Sequence, residues 1–308
     1  MGIMERYHRP VLLREVIEYL NISPGGKYAD LTFGEGGHSE AILEAGASEV
    51  VATDRDKEAL ETYAQGGKYA LDPRLKRFHT RFSRFREIAG DTKFDGILVD
   101  LGVSTRQLLR AERGFSFSQA GPLDMRMDAS HDEDLLSRLK EMTVEELTEA
   151  LRENADLAQA RSYARRIFDR LSSGRLNHTL DLAAVAGPKH GRSHPATPLF
   201  LALRMMVNNE LGEVNDGIPP LLDCLRPGGR LVVITFHSTE DRAVKKLFQK
   251  LSGRCICGPH QAVCLCSREK LVELILRKPL TASAEELAEN PRARSAKLRC
   301  VEKNAMSS

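Results

Sequence analysis

The chain has 308 residues, 42% hydrophobic and 29% charged, which is enough for a sizeable core and for more than one small domain. Average Gly and Pro usage excludes fibrous and collagen-like classes. The net charge of +2 neither indicates nor excludes a nucleic-acid partner. No apolar run approaches the ~18 residues of a membrane helix and no secretory signal is recognised, so we expect a cytoplasmic protein with no membrane partner.

Short apolar, β-rich segments alternate with helical patterns over the first hundred residues, which is typical of a parallel α/β sheet. Strands are predicted at residues 28–33, 49–53, 75–79, 94–101 and 230–236, with further strands at 272–277 and 297–301. The last two are expected to pair as an antiparallel hairpin that completes the sheet. We therefore predict an α/β fold with a mostly parallel sheet.

The regular spacing of strands breaks after the fourth strand. About 130 residues separate the fourth strand from the fifth, far more than one crossover needs, and their pattern is mostly helical. Thr143 and Glu146 form a capping box at the start of one of these helices. We predict that residues 105–197 are an inserted helical domain, and that residues 1–104 and 198–308 form one discontinuous sheet domain.

A glycine-rich loop follows the first predicted strand. Gly34, Gly36 and Gly37 would let the backbone pass close to a ligand and leave the amides of the next helix free to meet it. A dinucleotide site would need a third glycine where Ser39 stands. The acid Asp30, four residues before the first glycine, is instead typical of S-adenosylmethionine sites. A plain turn is the alternative.

Two acids and a histidine end other predicted strands. Asp54 follows the second strand, where a carboxylate can accept hydrogen bonds from the ribose hydroxyls of a nucleoside cofactor, and a helix N-cap is the alternative. Asp100 ends the fourth strand at the edge where ligands bind in such folds, and a buried structural role is the alternative. His237 follows the fifth strand at that same edge and is either catalytic or structural.

Four cysteines are close together near the C-terminus, namely Cys255, Cys257, Cys264 and Cys266. Four thiols within twelve residues of a cytosolic chain favour a structural zinc site, although the C-x-C spacing is less typical of zinc than C-x-x-C. Redox disulfides and uncoordinated thiols are the alternatives.

Charge is segregated along the chain despite the small total. Residues 131–156 hold nine acids and three bases, whereas residues 157–204 hold eight bases and two acids. Residues 73–86 hold six bases and no acid, with three phenylalanines interleaved. Basic residues among aromatics suit a nucleic-acid surface, and the alternative is a solvated face whose aromatic side chains point into the core.

Eight motifs occur in order along nearly the whole chain: HRPVLL (8–13), LTFGEGGHS (31–39), DLGVS (100–104), ERGFSF (112–117), GPLDMRMD (121–128), HPAT (194–197), FHSTEDR (236–242) and ENPRARS (289–295). With these motifs the chain closely resembles the RsmH (MraW) family, bacterial methyltransferases of small-subunit ribosomal RNA. The resemblance implies a Rossmann-like class I methyltransferase fold with a helical substrate-recognition insert.

The resemblance also implies an activity and a set of contacts. The activity is methyl transfer from S-adenosylmethionine to N4 of a cytidine in the decoding centre (P site) of 16S rRNA. The small ribosomal subunit is then the partner, and the enzyme is a monomer or homodimer. The cofactor contacts implied by the family motifs fall on Gly36, Gly37, His38, Asp54, Phe82, Asp100 and Gln107.

Two other functions compete with this interpretation. A nicotinamide-dependent oxidoreductase can use the same fold, but the missing third glycine argues against it. A non-catalytic RNA-binding or assembly factor would use only the basic face of the insert.

Overall fold

The computed structural model describes residues 10–130, 133–188, 194–257 and 269–305. These residues form two compact units. The sheet unit contains the described residues up to Gly102 and from Gly212 onward, and the helical unit is Val103–Leu211. None of the described helices is long and apolar enough to cross a membrane.

The sheet unit contains one seven-stranded sheet with the order β3-β2-β1-β4-β5-β7-β6. Its strands are β1 (Lys27–Asp30), β2 (Glu49–Asp54), β3 (Leu75–His79), β4 (Phe94–Asp100), β5 (Leu225–Thr235), β6 (Val272–Leu274) and β7 (Lys297–Lys303). Strands β1 to β5 pair in parallel, and β7 is antiparallel to both β5 and β6. The order reverses between β1 and β4, which makes a doubly wound, Rossmann-like sheet of the class I type and confirms the predicted fold class.

Most strands differ from their predicted bounds by one residue or more. β6 ends at Leu274 rather than at residue 277, β7 extends to Lys303 rather than to residue 301, and the changes in β1 and β5 have a visible cause. β1 ends at Asp30 rather than at residue 33, because the chain turns there and the Asp30 carboxylate accepts a hydrogen bond from the backbone N–H of Thr32. β5 begins at Leu225 rather than at residue 230, because Leu225 pairs with Phe94 before a register shift. The predicted antiparallel pairing of the last two strands is confirmed.

Helices cover both faces of the sheet. In the sheet unit they are α1 (Leu13–Leu20), α2 (Gly37–Glu44), α3 (Lys57–Gly66), α4 (Phe85–Ala89), α12 (Ile218–Cys224), α13 (Ser238–Leu251) and α14 (Ala284–Glu289). Alternate residues of β4 enter different cores: Ile97 and Val99 pack with one cluster of buried side chains, and Leu98 packs with the other. This two-residue period is what a strand buried on both faces requires.

The helical unit has a core of its own. Its helices are α5 (Thr105–Leu109), α6 (Leu135–Glu141), α7 (Val144–Ala155), α8 (Ala160–Ser172), α9 (Thr179–Ala186) and α10 (Ala196–Asn208), and the short α11 (Glu210–Gly212) follows. The predicted capping box is present at α7, where Thr143 and Glu146 satisfy each other's backbone N–H groups.

The chain returns to the sheet unit at Gly212, later than the predicted position near residue 198. The difference arises from α10, whose residues Leu199, Phe200 and Leu203 are buried in the core of the helical unit. The apolar pattern of α10 alone could not show which core it joins.

Asn208 at the end of α10 fixes a loop within the helical unit. Its side chain is buried, accepts a hydrogen bond from the backbone N–H of Met127 and donates to the carbonyl oxygen of Met125, at 2.8 and 2.7 Å. Met125 has a positive φ of 61°, which a non-glycine residue adopts only where neighbours hold it.

We expect Asn208→Ala to lower the free energy of unfolding by ~2–3 kcal/mol, because it leaves buried backbone groups of the 125–127 loop without partners. Urea denaturation of the whole chain measures this change. The control is Gln159→Ala on the exposed surface of the same unit, which should shift stability by less than ~0.5 kcal/mol. Equal effects of the two substitutions would contradict the account.

Candidate cofactor and active site

Several predicted site residues lie at the carboxyl edge of the sheet. Asp30 ends β1, Asp54 ends β2 and Asp100 ends β4, and His237 lies two residues after the end of β5. The carboxyl ends of parallel strands meet at one edge, and ligands bind there in open α/β sheets. The structure therefore brings these four predicted site residues to the same edge.

The glycine loop crosses this edge between β1 and α2. Gly36 has a positive φ of 83°, and a Cβ atom there would lie 2.4 Å from the ring of Tyr63. A Cβ atom on Gly37 would lie 2.3 Å from Pro10. Close packing thus requires glycine at both positions, and it keeps the loop backbone bare where α2 presents its first N–H groups.

Asp30 lies beneath this loop and is only 1% exposed. One carboxylate oxygen accepts a hydrogen bond from Ser39 Oγ at 2.7 Å, and the other accepts the Thr32 N–H at 3.3 Å. Burial raises the pKa of Asp30 above its usual value, and the neighbouring His38 and the hydrogen bonds oppose that rise. The side chain ties the first turn of α2 to the end of β1, and its predicted cofactor contact stays a prediction.

Asp54 is more exposed to solvent than Asp30, and its carboxylate binds the backbone of the glycine loop. Its carboxylate accepts hydrogen bonds from the N–H groups of Gly34 and Asp56, both at 2.7 Å. Burial raises its pKa to about 6 although these two hydrogen bonds favour the ionised form. The cap of α3 is Asp56, which accepts from Glu58 N–H, so the alternative N-cap role falls to Asp56 and not to Asp54.

Asp100 and His38 form the most unusual pair of the edge. His38 Nε2 lies 3.6 Å from Asp100 Oδ2, and the Asp100 backbone N–H donates to Thr32 Oγ1 at 2.6 Å. Among the described residues, Asp100 Oδ1 and both ring nitrogens of His38 are buried without a hydrogen-bond partner. Unpaired buried polar atoms each cost ~1–3 kcal/mol, so this cluster fits a polar ligand that would complete it.

The two other residues carried over from the motifs lie elsewhere in the fold. Phe82 begins a 3-10 turn (Phe82–Arg84), is buried in the core of the sheet unit and packs so closely on Gly217 that a Cβ atom there would lie 2.7 Å from its ring. Gln107 belongs to the helical unit, where it is buried and completes the capping box of α5 with Ser104.

His237 is held by the first turn of α13. It is the N-cap of that helix, with Nδ1 accepting the Glu240 N–H at 3.4 Å and Nε2 lying 2.8 Å from Glu240 Oε1. Glu240 is 1% exposed and also accepts the backbone N–H of Phe236 at 3.1 Å. This geometry supplies the structural role that was the alternative for His237, and its catalytic role stays a prediction.

A family model described as the MraW methylase family matches residues 5–304, which is nearly the whole chain. The chain belongs to the MraW methylase family. Curated relatives named "Ribosomal RNA small subunit methyltransferase H" include proteins of Nitratidesulfovibrio vulgaris strain DP4, Thermomicrobium roseum and Anaeromyxobacter dehalogenans. They are 42%, 42% and 46% identical to it over 96%, 97% and 96% of this chain and 95%, 94% and 97% of their own lengths.

Among solved structures, the chain is similar to a SAM-dependent O-methyltransferase from Thermotoga maritima. The TM-score is 0.42 and the identity 10%, over 99% of this chain and 71% of that one. The fold assignment for this MraW-family chain depends on its own strand order, which was described above.

Three residues that hold the site were not predicted as site residues. Glu240 fixes the ring of His237, and Ser39 and Thr32 hold the carboxylate of Asp30. The sequence contains a signal for Glu240. His237 follows a predicted strand and Glu240 comes three residues later, and a polar residue followed by an acid at this spacing indicates the start of a helix. The sequence around Ser39 carries no local signal of its hydrogen bond to Asp30, which is nine residues away.

Most cations of the basic segment 73–86 have acidic partners. Five of its six bases form ion pairs: Arg74 with Asp72, Lys76 with Glu49, Arg81 with Glu213, Arg84 with Glu87 and Arg86 with Asp223. Phe82 and Phe85 pack in the core of the sheet unit, whereas Phe78 is 37% exposed. Two of the three aromatic side chains therefore follow the solvated-face interpretation, and a nucleic-acid contact by this segment stays a prediction.

The predicted zinc ligands fall partly outside the described residues. Cys255 and Cys257 follow α13 in the sheet unit, whereas Cys264 and Cys266 lie outside the part of the chain that the structure describes. The zinc site stays a prediction.

The raised pKa of Asp54 predicts a pH dependence of stability. Because its folded-state pKa rises from 3.8 to about 6, the folded protein holds this proton more tightly than the unfolded chain does. That contribution is complete below about pH 4 and is lost as the pH rises through about 6. We expect wild type to lose ~1–3 kcal/mol of stability relative to Asp54→Asn between those two pH values.

Urea denaturation of both proteins at several pH values across this window measures the difference. Parallel stability profiles for wild type and Asp54→Asn would contradict the assigned pKa.

Proposed function

We propose that this chain transfers a methyl group from S-adenosylmethionine to the exocyclic N4 amino group of a cytidine in the decoding centre of 16S rRNA. The single observation that carries the proposal is the Asp100–His38 pair, buried and incompletely hydrogen-bonded at the carboxyl edge beside the glycine loop. Family membership and the printed names of the relatives supply the substrate class.

The residues present fit S-adenosylmethionine, which supplies an electrophilic methyl group on a sulfonium. Asp54 would accept hydrogen bonds from the ribose hydroxyls, as acids at the end of the second strand do in nucleoside-binding sheets. The bare backbone of the glycine loop and the first N–H groups of α2 would meet the polar end of the cofactor. We carry over Phe82 and Gln107 as further contacts from the family motifs.

Asp100 orients the amino group that is methylated. The lone pair of N4 is delocalised into the cytosine ring, so the nitrogen is a weak nucleophile. A hydrogen bond from the amino group to the Asp100 carboxylate would hold the nitrogen in line and stabilise the positive charge that develops on it. Alignment of this kind is worth roughly 7–11 kcal/mol in well-oriented reactions.

The methyl transfer needs no strong base. A bond forms from N4 to the methyl carbon as the bond from that carbon to sulfur breaks, and the nitrogen becomes cationic and acidic. Its proton then passes to the Asp100 carboxylate, or through His237 to solvent. His38 Nε2 lies 3.6 Å from Asp100 Oδ2, close enough to favour the ionised carboxylate when the imidazole is protonated.

The substrate RNA must present its base outside the stack. An exocyclic amino group within a stacked helix cannot reach a side chain at the sheet edge, so the cytidine must be splayed out before transfer. The partner is therefore 16S rRNA or the small ribosomal subunit in a form that exposes this base. We keep monomer or homodimer as the expected oligomeric state.

We expect Asp100→Asn to lower kcat for methylation by ~10²–10³, because an amide cannot stabilise the developing charge. Binding of S-adenosylmethionine, measured by calorimetry, should weaken far less than turnover. The substrate is small-subunit RNA from a strain lacking the enzyme, with labelled cofactor to follow transfer.

The matched control is Asp95→Asn on the same strand. Asp95 lies toward the opposite end of β4, where it accepts the Lys27 N–H and pairs with Arg226, so its loss should leave kcat near wild type. Wild-type turnover in Asp100→Asn would eliminate the assigned role. Binding of NAD in place of S-adenosylmethionine by the wild-type protein would eliminate the proposed function.

A further inference from the structure

Arginines on α8 differ from the other basic segment of the chain in their ionic partners. In segment 73–86, five cations pair with surface acids, as described above. Within the described residues, the side chains of Arg161, Arg165 and Arg170 on α8 make no hydrogen bond or ion pair. No carboxylate in the described part of the chain therefore forms an ion pair with these three arginines.

The packing of α8 fixes which side carries these arginines. Its inner side buries Ala160, Tyr163, Ala164 and Ile167 in the core of the helical unit. Arg161 and Arg165 are exposed, and since they are four residues apart they lie on neighbouring turns of the same helix side. Because the buried residues of α8 face the core of the helical unit, Arg161 and Arg165 lie on its solvent-exposed side.

Arg166 extends the same basic surface. Its guanidinium lies 4.9 Å from the centre of the Tyr163 ring, and its Nε donates to the Ser162 carbonyl oxygen. These contacts restrain the arginine without neutralising its charge. Asp169 is the single acid among the residues of α8, against four arginines.

The acids of the neighbouring helix do not compensate this charge. α7 packs against α8 and carries several glutamates, among which Glu149 pairs with Arg152 of its own helix. Among the described residues, no carboxylate of α7 forms an ion pair with Arg161, Arg165 or Arg170. The positive charges of arginines on neighbouring turns of α8 repel one another, and binding of a polyanion relieves that repulsion.

We propose that the outer side of α8, formed by Arg161, Arg165 and Arg166 with the half-buried Arg170 at its edge, binds the phosphate backbone of the substrate RNA. The inference rests on the proposed function, which supplies RNA as the polyanion. All four cations are arginines, whose planar forks bind phosphate oxygens in a bidentate manner. Such contacts position the RNA and carry no sequence information, so base selection is left to the active site.

The test compares two triple variants that remove the same charge. Arg161→Gln/Arg165→Gln/Arg170→Gln removes unpaired cations of α8, whereas Arg74→Gln/Lys76→Gln/Arg84→Gln removes acid-paired cations of segment 73–86. Binding to a small-subunit rRNA fragment is measured by filter retention over a series of salt concentrations. Circular dichroism and S-adenosylmethionine binding verify that each variant is folded.

We expect the α8 variant to bind RNA at least tenfold more weakly at low salt. Its plot of log affinity against log salt should be shallower by about two, since each phosphate contact contributes roughly 0.7–0.9 to the slope. KM for RNA should rise while kcat at saturating RNA stays near wild type. The control variant should keep the wild-type salt slope.

Two results would overturn the proposal: an unchanged salt slope in the α8 variant, or equal losses in both variants. Failure of the proposed function gives a different result. In that case the wild type methylates no small-subunit RNA, whereas the salt slopes of binding still report on the α8 surface.

Discussion

The site depends on one buried, incompletely hydrogen-bonded contact, between the Asp100 carboxylate and the His38 imidazole. Asp100 terminates β4, whose four preceding residues, 96–99, are all buried, so its position is fixed by the whole sheet. His38 is fixed by the first turn of α2, which Ser39 anchors to the equally buried Asp30. A rigid scaffold thus keeps polar atoms in a place where they cost stability, which is characteristic of sites organised for a ligand.

The sequence predicted much of this edge because the relevant residues follow local patterns. Strand ends mark Asp54 and Asp100, and a glycine loop ahead of a helix marks the turn between β1 and α2. Other features depend on contacts between distant residues. The pairing of Lys76 with Glu49 and of Arg86 with Asp223 neutralises a segment that appears purely basic when read along the chain. The core that α10 joins also depends on contacts with distant residues, because its apolar residues could pack in either core.

The near-zero net charge hides two different arrangements. In the sheet unit, five of the six bases of segment 73–86 form ion pairs with acids. On α8 the acids of the neighbouring helix do not pair with Arg161, Arg165 and Arg170, and the positive charge remains available. The two units therefore present different surfaces. The sheet unit has polar side chains at the carboxyl edge of its sheet, and the helical unit has a cationic side of α8.

The most direct test is to identify the methylated base. Small-subunit RNA from a strain lacking the enzyme is incubated with the purified protein and labelled S-adenosylmethionine, then digested and sequenced by mass spectrometry. The account predicts a single labelled N4-methylcytidine in the decoding centre, formed at least about a hundredfold more slowly with Asp100→Asn. Label on another base or another atom, or none with the wild-type protein, would contradict it.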